Sequence, residues 1–205
     1  ITNFHFEVAA DLLNEEEIAL IRTMRPGMIQ LEIGVQSTNP DTIREIHRKM
    51  DFAQVSEGVT RVQEGHNVHQ HLDLIAGLPY EDYDSFGKSF CDVYQLRPQQ
   101  LQLGFLKVLK GSFMYQAAPE YGCVCQSREP YEVLYTRWLP YDDVLRLKLV
   151  EEMVEVYYNS NQFGKTLRAI EKLFDNPFAL YEALGAFYDK KGYMDISHTR
   201  IRRYE

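Results

Sequence analysis

Four short runs of this sequence share one asymmetry, and it narrows the fold more than any other feature. In LEIGVQS, Leu31–Ser37, the residues Leu31, Ile33 and Val35 fall on one face of a strand, and Glu32, Gly34 and Gln36 fall on the other. Phe4, Phe6 and Val8 stand against His5, Glu7 and Ala9 in the same way. Leu72, Leu74 and Ala76 stand against His69, His71, Asp73 and Ile75, and Leu101, Leu103 and Phe105 against Gln102 and Gly104. Helical stretches separate the runs, so the strands are expected to be parallel. A doubly wound sheet is covered on both faces and its strands read as apolar throughout. A closed eight-stranded barrel fills its lumen with Val, Ile and Leu. The polar second face fits neither. It fits a barrel open enough to hold a polar ligand, or a half-sheet whose polar face is simply wet. Glu7, Gln36 and Asp73 lie toward the C-terminal ends of their strands, where α/β sites form.

The connecting helices carry ordinary start and stop signals. Asn14 precedes Glu15, Glu16 and Glu17, whose charges suit the first turn of a helix, and Ile18, Ile21 and Met24 form its stripe. Asn39-Pro40 opens a second helix with Ile43 and Ile46 inward, and Asp51 a third with Val55, Val59 and Val62 inward and Gly65 at its end. Gly77-Leu78-Pro79 breaks the third strand, and Glu81-Asp82 opens a helix carrying Phe86, Phe90 and Val93. After about Gly111 the style changes. Prolines and glycines punctuate a loop-rich stretch, followed by helices near 141–158, 164–174 and 177–190. Leu145, Leu149, Met153 and Val156 read as the buried stripe of the first of these. Residues 194–204 alternate weakly, as a short strand would. The reading is α/β: a partial (β/α) TIM-type barrel fragment over 1–112, then a mainly α-helical C-terminal extension over 113–205.

Composition removes some function classes. The net charge of −8 argues against a general nucleic-acid or anionic-membrane binder. No apolar run approaches the ~20 residues of a membrane span. Three cysteines, Cys91, Cys123 and Cys125, point to a reducing compartment, the cytoplasm. The abrupt N-terminus, without Met or leader, reads as the start of an excised piece.

The segments FHFEVA (4–9), EIGVQS (32–37), IREIHRKMD (43–51) and HLDLIAGLPYED (71–82) together resemble the later part of a radical S-adenosylmethionine (SAM) barrel. The closest flavour is the oxygen-independent coproporphyrinogen oxidase-like branch, and the helical tail resembles the extension of cobalamin-binding-type members. The resemblance implies SAM and a [4Fe–4S] cluster in the parent protein, with reductive cleavage of SAM and hydrogen abstraction from a small-molecule substrate. Cobalamin is left open. Carried over by position, Glu7, Gln36, Arg48 and Asp73 are the implied SAM contacts, with Ile75 against the adenine. A carboxylate suits ribose hydroxyls, and a guanidinium suits the amino-acid carboxylate.

One departure is decisive. The family's C-x-x-x-C-x-x-C motif is missing, so this chain alone is expected to bind no cluster and to be inactive. Two rivals stand beside this reading. His69-x-His71-x-Asp73, joined by His5, could ligate the metal of a hydrolase. A non-catalytic interaction module, docking through the acidic helix with Glu151, Glu152 and Glu155, is the other. An uncovered first strand carrying Phe4 and Phe6 is expected to pair copies of the isolated chain.

Overall fold

A computed structural model describes residues 2–194 and 196–205. Among these the first half of the chain builds a parallel sheet of β1 (Phe4–Glu7), β2 (Ile29–Gln36), β3 (His69–Ala76) and β4 (Gln100–Phe105), in that spatial order. The crossovers are α1 (Glu15–Arg22), α2 (Pro40–Glu45), α3 (Phe52–Gln63) and α4 (Tyr83–Gln95). The fold class is therefore the expected mixture of parallel strands and helices. Each helix starts where its cap is written. Asn14 makes a full capping box with Glu17. Asn39, Asp51 and Asp82 each accept a bond from a first-turn backbone N–H. At the other end of α3 the capping residue is Glu64 rather than Gly65, and His66 takes the left-handed conformation at φ 50°.

The period-two pattern maps onto burial. On β2, Ile29, Leu31, Ile33 and Val35 are buried, while Gln30, Glu32, Gly34 and Gln36 are half-exposed. The apolar faces of β2, β3 and β4 pack into a core with Val55, Val59, Phe86, Phe90 and Val93 of α3 and α4. Buried aliphatic and aromatic side chains of this kind each contribute roughly 1.5–3 kcal/mol. β1 departs from the pattern. It is the edge strand, all four of its residues are exposed, and Phe4 and Phe6 stack on each other with centroids 6.3 Å apart.

The chain divides into two compact units, one running to Val144 and the other from Leu145. The change of composition near residue 112 is thus not where compactness changes. The chain beyond β4 folds back on itself: Val133 N donates to Leu106 O at 2.8 Å and Val108 N to Tyr131 O at 3.0 Å. This return seats Val133 beneath Gly77, where a Cβ would lie 2.7 Å from Val133 Cγ1. The same stretch holds α5 (Phe113–Ala117) and an antiparallel pair, β5 (Val124–Cys125) with β6 (Val133–Tyr135).

The second unit contains most of α6 (Tyr141–Met153), then α7 (Gly164–Ile170) and α8 (Pro177–Lys191). The α6 stripe differs from the expected one. Val144, Leu147, Val150, Met153, Val154 and Tyr157 are buried, Leu145 is exposed, and Leu149 and Val156 are half-buried. The helix runs into a π-helical segment over Val154–Asn159, which shifts the phase of its last turns. No strand forms among the described residues of 194–204. They turn on themselves instead, through Arg203 N to Thr199 O and Tyr204 N to Ile201 O; Asp195 lies outside the described residues. No described helix is long and apolar enough to cross a membrane.

Candidate functional site

The polar face of the sheet leads into a cavity at the carboxyl ends of β1 and β2. Its volume is about 360 Å³, within the range of small-molecule sites. Glu7, Glu32, Gly34, Gln36, Arg48 and Asp73 line it, together with Val8 and Ala9. Register explains the convergence. Glu7, Glu32 and His71 lie side by side across three strands, and Gly34 lies beside Asp73. Beyond Gly34 the ladder slips, so that Gln36 comes opposite Leu74. This bulge places Gln36 in the left-handed region at φ 70°, an uncommon conformation for a residue with a side chain. The sequence pattern indicates which face Gln36 occupies but not this turn.

Arg48 follows α2 and is half-buried. Its guanidinium reaches back across the strand end and donates to the carbonyl of Gly34. Gly34 makes room for the Gln36 amide: a Cβ there would lie 2.5 Å from Gln36 Nε2, and in ordinary contact, 3.7 Å, with Arg48 Nη2. The missing side chain leaves a cradle flanked by an amide and a guanidinium.

Two imidazoles flank the carboxylates. His5 Nε2 lies 2.9 Å from Glu32 Oε2, and His71 Nε2 lies 3.0 Å from Asp73 Oδ1. The second contact is close but poorly angled, and neither of its atoms makes a well-formed hydrogen bond. Asp73 raises the His71 pKa above its usual value, chiefly through that contact, against the opposing effect of burial. The Asp73 carboxylate is thus an acceptor at the cavity wall, with the His71 imidazole beside its buried Oδ1.

Ile75 sits one step beyond Asp73 on the same face, half-buried and next to Gly104, and does not line the cavity. Glu32 and Gly34 were not among the expected contacts, although period two from Gln36 points to both.

A second arrangement, adjoining the first, escaped the sequence reading. Ser37, next to Gln36, donates to Glu81 Oε1 at 2.6 Å, and Ser89 donates to the same oxygen at 3.0 Å. Thr38 N donates to Ser89 Oγ at 3.0 Å, and Asn39 Nδ2 to Tyr80 O at 2.9 Å. Thr42 Oγ1 donates to Pro79 O at 2.8 Å. Glu81 is 1% exposed, and its burial pushes its pKa up to about 7 in spite of the two serine bonds. The loop after β2 and the loop after β3 are thereby tied together just outside the cavity.

For a hydrolytic metal the geometry is poor. His69 lies in the row of Gln30, two residues below His71, and His71 already faces Asp73. No group of three or more His, Cys, Asp or Glu among the described residues is arranged to hold a metal ion. The residues also do not fit an iron–sulfur cluster. Cys91 is on α4, and Cys123 and Cys125 lie at β5. Burial, with a smaller contribution from Cys125, pushes the Cys123 thiol up to about 11, opposite to what a thiolate ligand needs.

Parallel strands, returning helices and a strand-end cavity with a polar lining form part of a (β/α) barrel. Two solved structures of that class are similar to it. Coproporphyrinogen III oxidase (HemN) from Escherichia coli, a radical SAM enzyme, aligns with 72% of this chain at 20% identity and a TM-score of 0.54. The radical SAM methyltransferase TsrM from Kitasatospora setae, solved with cobalamin and a [4Fe–4S] cluster bound, aligns with 62% at 12% identity and a TM-score of 0.50. The aligned part spans 31% and 26% of those chains, so this chain corresponds to less than a third of either. Residues 119–205 match a family described as a protein of unknown function, DUF4080. No curated protein matches the sequence.

Proposed function

We propose that this chain is the SAM-holding part of a radical SAM enzyme that abstracts hydrogen from a small organic substrate. The observation that carries the reading is the cavity in which Glu7, Gln36, Arg48 and Asp73 meet around Gly34. Glu7 and Asp73 would accept from the ribose hydroxyls. Arg48 would hold the amino-acid carboxylate of SAM, and the Gln36 amide, which both donates and accepts, would bond a neighbouring polar edge. Ile75 would offer apolar surface to the adenine at the margin. Bound SAM, on reductive cleavage, supplies the hydrogen-abstracting chemistry. The cluster that reduces it would take its ligands from outside these 205 residues.

Titration calorimetry with SAM on the longest form of the protein that contains this sequence tests the reading. Asp73→Ala and Glu7→Ala are each expected to weaken binding by about tenfold or more, as loss of a bond to a charged acceptor does. Unchanged affinity in both variants would refute the site.

A further inference from the structure

The C-terminal unit contains a pocket that the barrel reading does not use. Its volume is about 150 Å³, and Tyr157, Phe187, Tyr188 and Tyr193 wall it. The rings meet edge to face: Tyr157 and Tyr188 at 84° with centroids 6.1 Å apart, Tyr188 and Tyr193 at 90° and 5.8 Å. The His198 ring adds a further side, 4.9 Å from Tyr193. A cavity of about 150 Å³ accommodates one benzene-sized ring.

Two donors of this pocket find no acceptor, although the Glu205 carboxylate, engaged by Arg202, also lines it. Arg203 Nε and His198 Nε2 are buried and find no hydrogen-bond partner among the described residues. The arginine nitrogen can only donate. The Tyr157 and Tyr188 hydroxyls lie 2.8 Å apart, so their mutual bond uses one proton and leaves the other. Burial and this bond raise the Tyr157 pKa, which keeps that phenol a donor. Arg202 is already matched by Glu205, Nη1 to Oε2 at 2.9 Å. A buried donor left unsatisfied costs about 1–3 kcal/mol, and a positive one more. A cation is disfavoured beside Arg203. A bare phosphate would leave four ring walls without apolar contact.

We propose that this pocket binds a small aromatic carboxylate, its ring among the tyrosine and phenylalanine rings and its oxygens on Arg203 Nε–H and the Nε2–H form of His198. The inference uses no atom of the strand-end cavity, and it stands or falls separately from the SAM reading.

Titrating benzoate into the longest form of the protein that contains this sequence tests it. The expected result is saturable one-to-one binding, with benzyl alcohol, the uncharged counterpart, weaker by about tenfold. Arg203→Gln is expected to lower benzoate affinity by a similar factor. Should that variant misfold, Arg203→Lys retains the charge without the Nε–H and is expected to stay weak. No saturable binding of benzoate, equal affinity for benzyl alcohol, equal competition by inorganic phosphate, or full affinity in Arg203→Lys would each overturn the assignment.

Discussion

The two faces of the same sheet differ in what they ask of each residue. On the apolar face, Leu72, Leu74 and Leu101 are wholly buried and interchangeable in kind, since any well-fitting hydrocarbon would serve. On the polar side several side chains have a particular neighbour: His5 has Glu32, His71 has Asp73, and Arg48 has the carbonyl of Gly34. The difference puts the buried core on one face and the residues of the proposed SAM site on the other. It also gives four ways to break or sharpen the contrast.

The largest effect belongs to the apolar face. Leu72→Ala is expected to lower the unfolding free energy by about 2–5 kcal/mol, whereas Gln102→Ala, exposed on the opposite face and losing only its bond to His71, costs about 1 kcal/mol. Urea unfolding of both variants measures the ratio, and equal losses would erase the distinction between the faces.

Next comes Glu81, a charge-bearing group that lies buried beside the polar face. Its folded pKa is raised from 4.5 to about 7, so its contribution to stability is full below the unfolded value and is lost as pH rises toward about 7. The difference amounts to roughly 3 kcal/mol by linkage. Glu81→Gln is expected to flatten the fall of the urea midpoint between these pH values. His71, also raised, acts in the same direction and limits how flat the variant can become.

Gly34→Ala addresses recognition alone. The added methyl displaces the Gln36 amide, and SAM affinity is expected to fall about tenfold while the unfolding midpoint barely moves. The smallest effect lies in the other unit. Tyr157→Phe removes its bond to Tyr188 and is expected to cost about 1 kcal/mol in thermal or urea unfolding.

These contrasts account for what the sequence did and did not reveal. Strand residues repeat every second position, so the face of Glu7, Glu32, Gln36 and Asp73 could be read directly, as could the caps at Asn14, Asn39 and Asp51. Arg48 came only through resemblance, because a loop has no period. The Ser37–Glu81 tie joins residues 44 positions apart through two loops, and nothing local marks it. In the tail, Leu145, Leu147 and Leu149 offer α6 more than one apolar stripe, and counting from Leu145 instead of Val144 puts the face one position out of phase. The aromatic pocket assembles from a helix end and turns, where spacing carries no information about direction.

The tie between Ser37 and Glu81 has a mechanical consequence. Ser37 is joined by one peptide bond to Gln36, whose backbone already holds an unusual conformation. Any displacement of the segment after β3 is therefore transmitted within a single residue to an amide at the rim of the strand-end cavity. The two loops act as one stiff collar, and a guest pressing on one must move both.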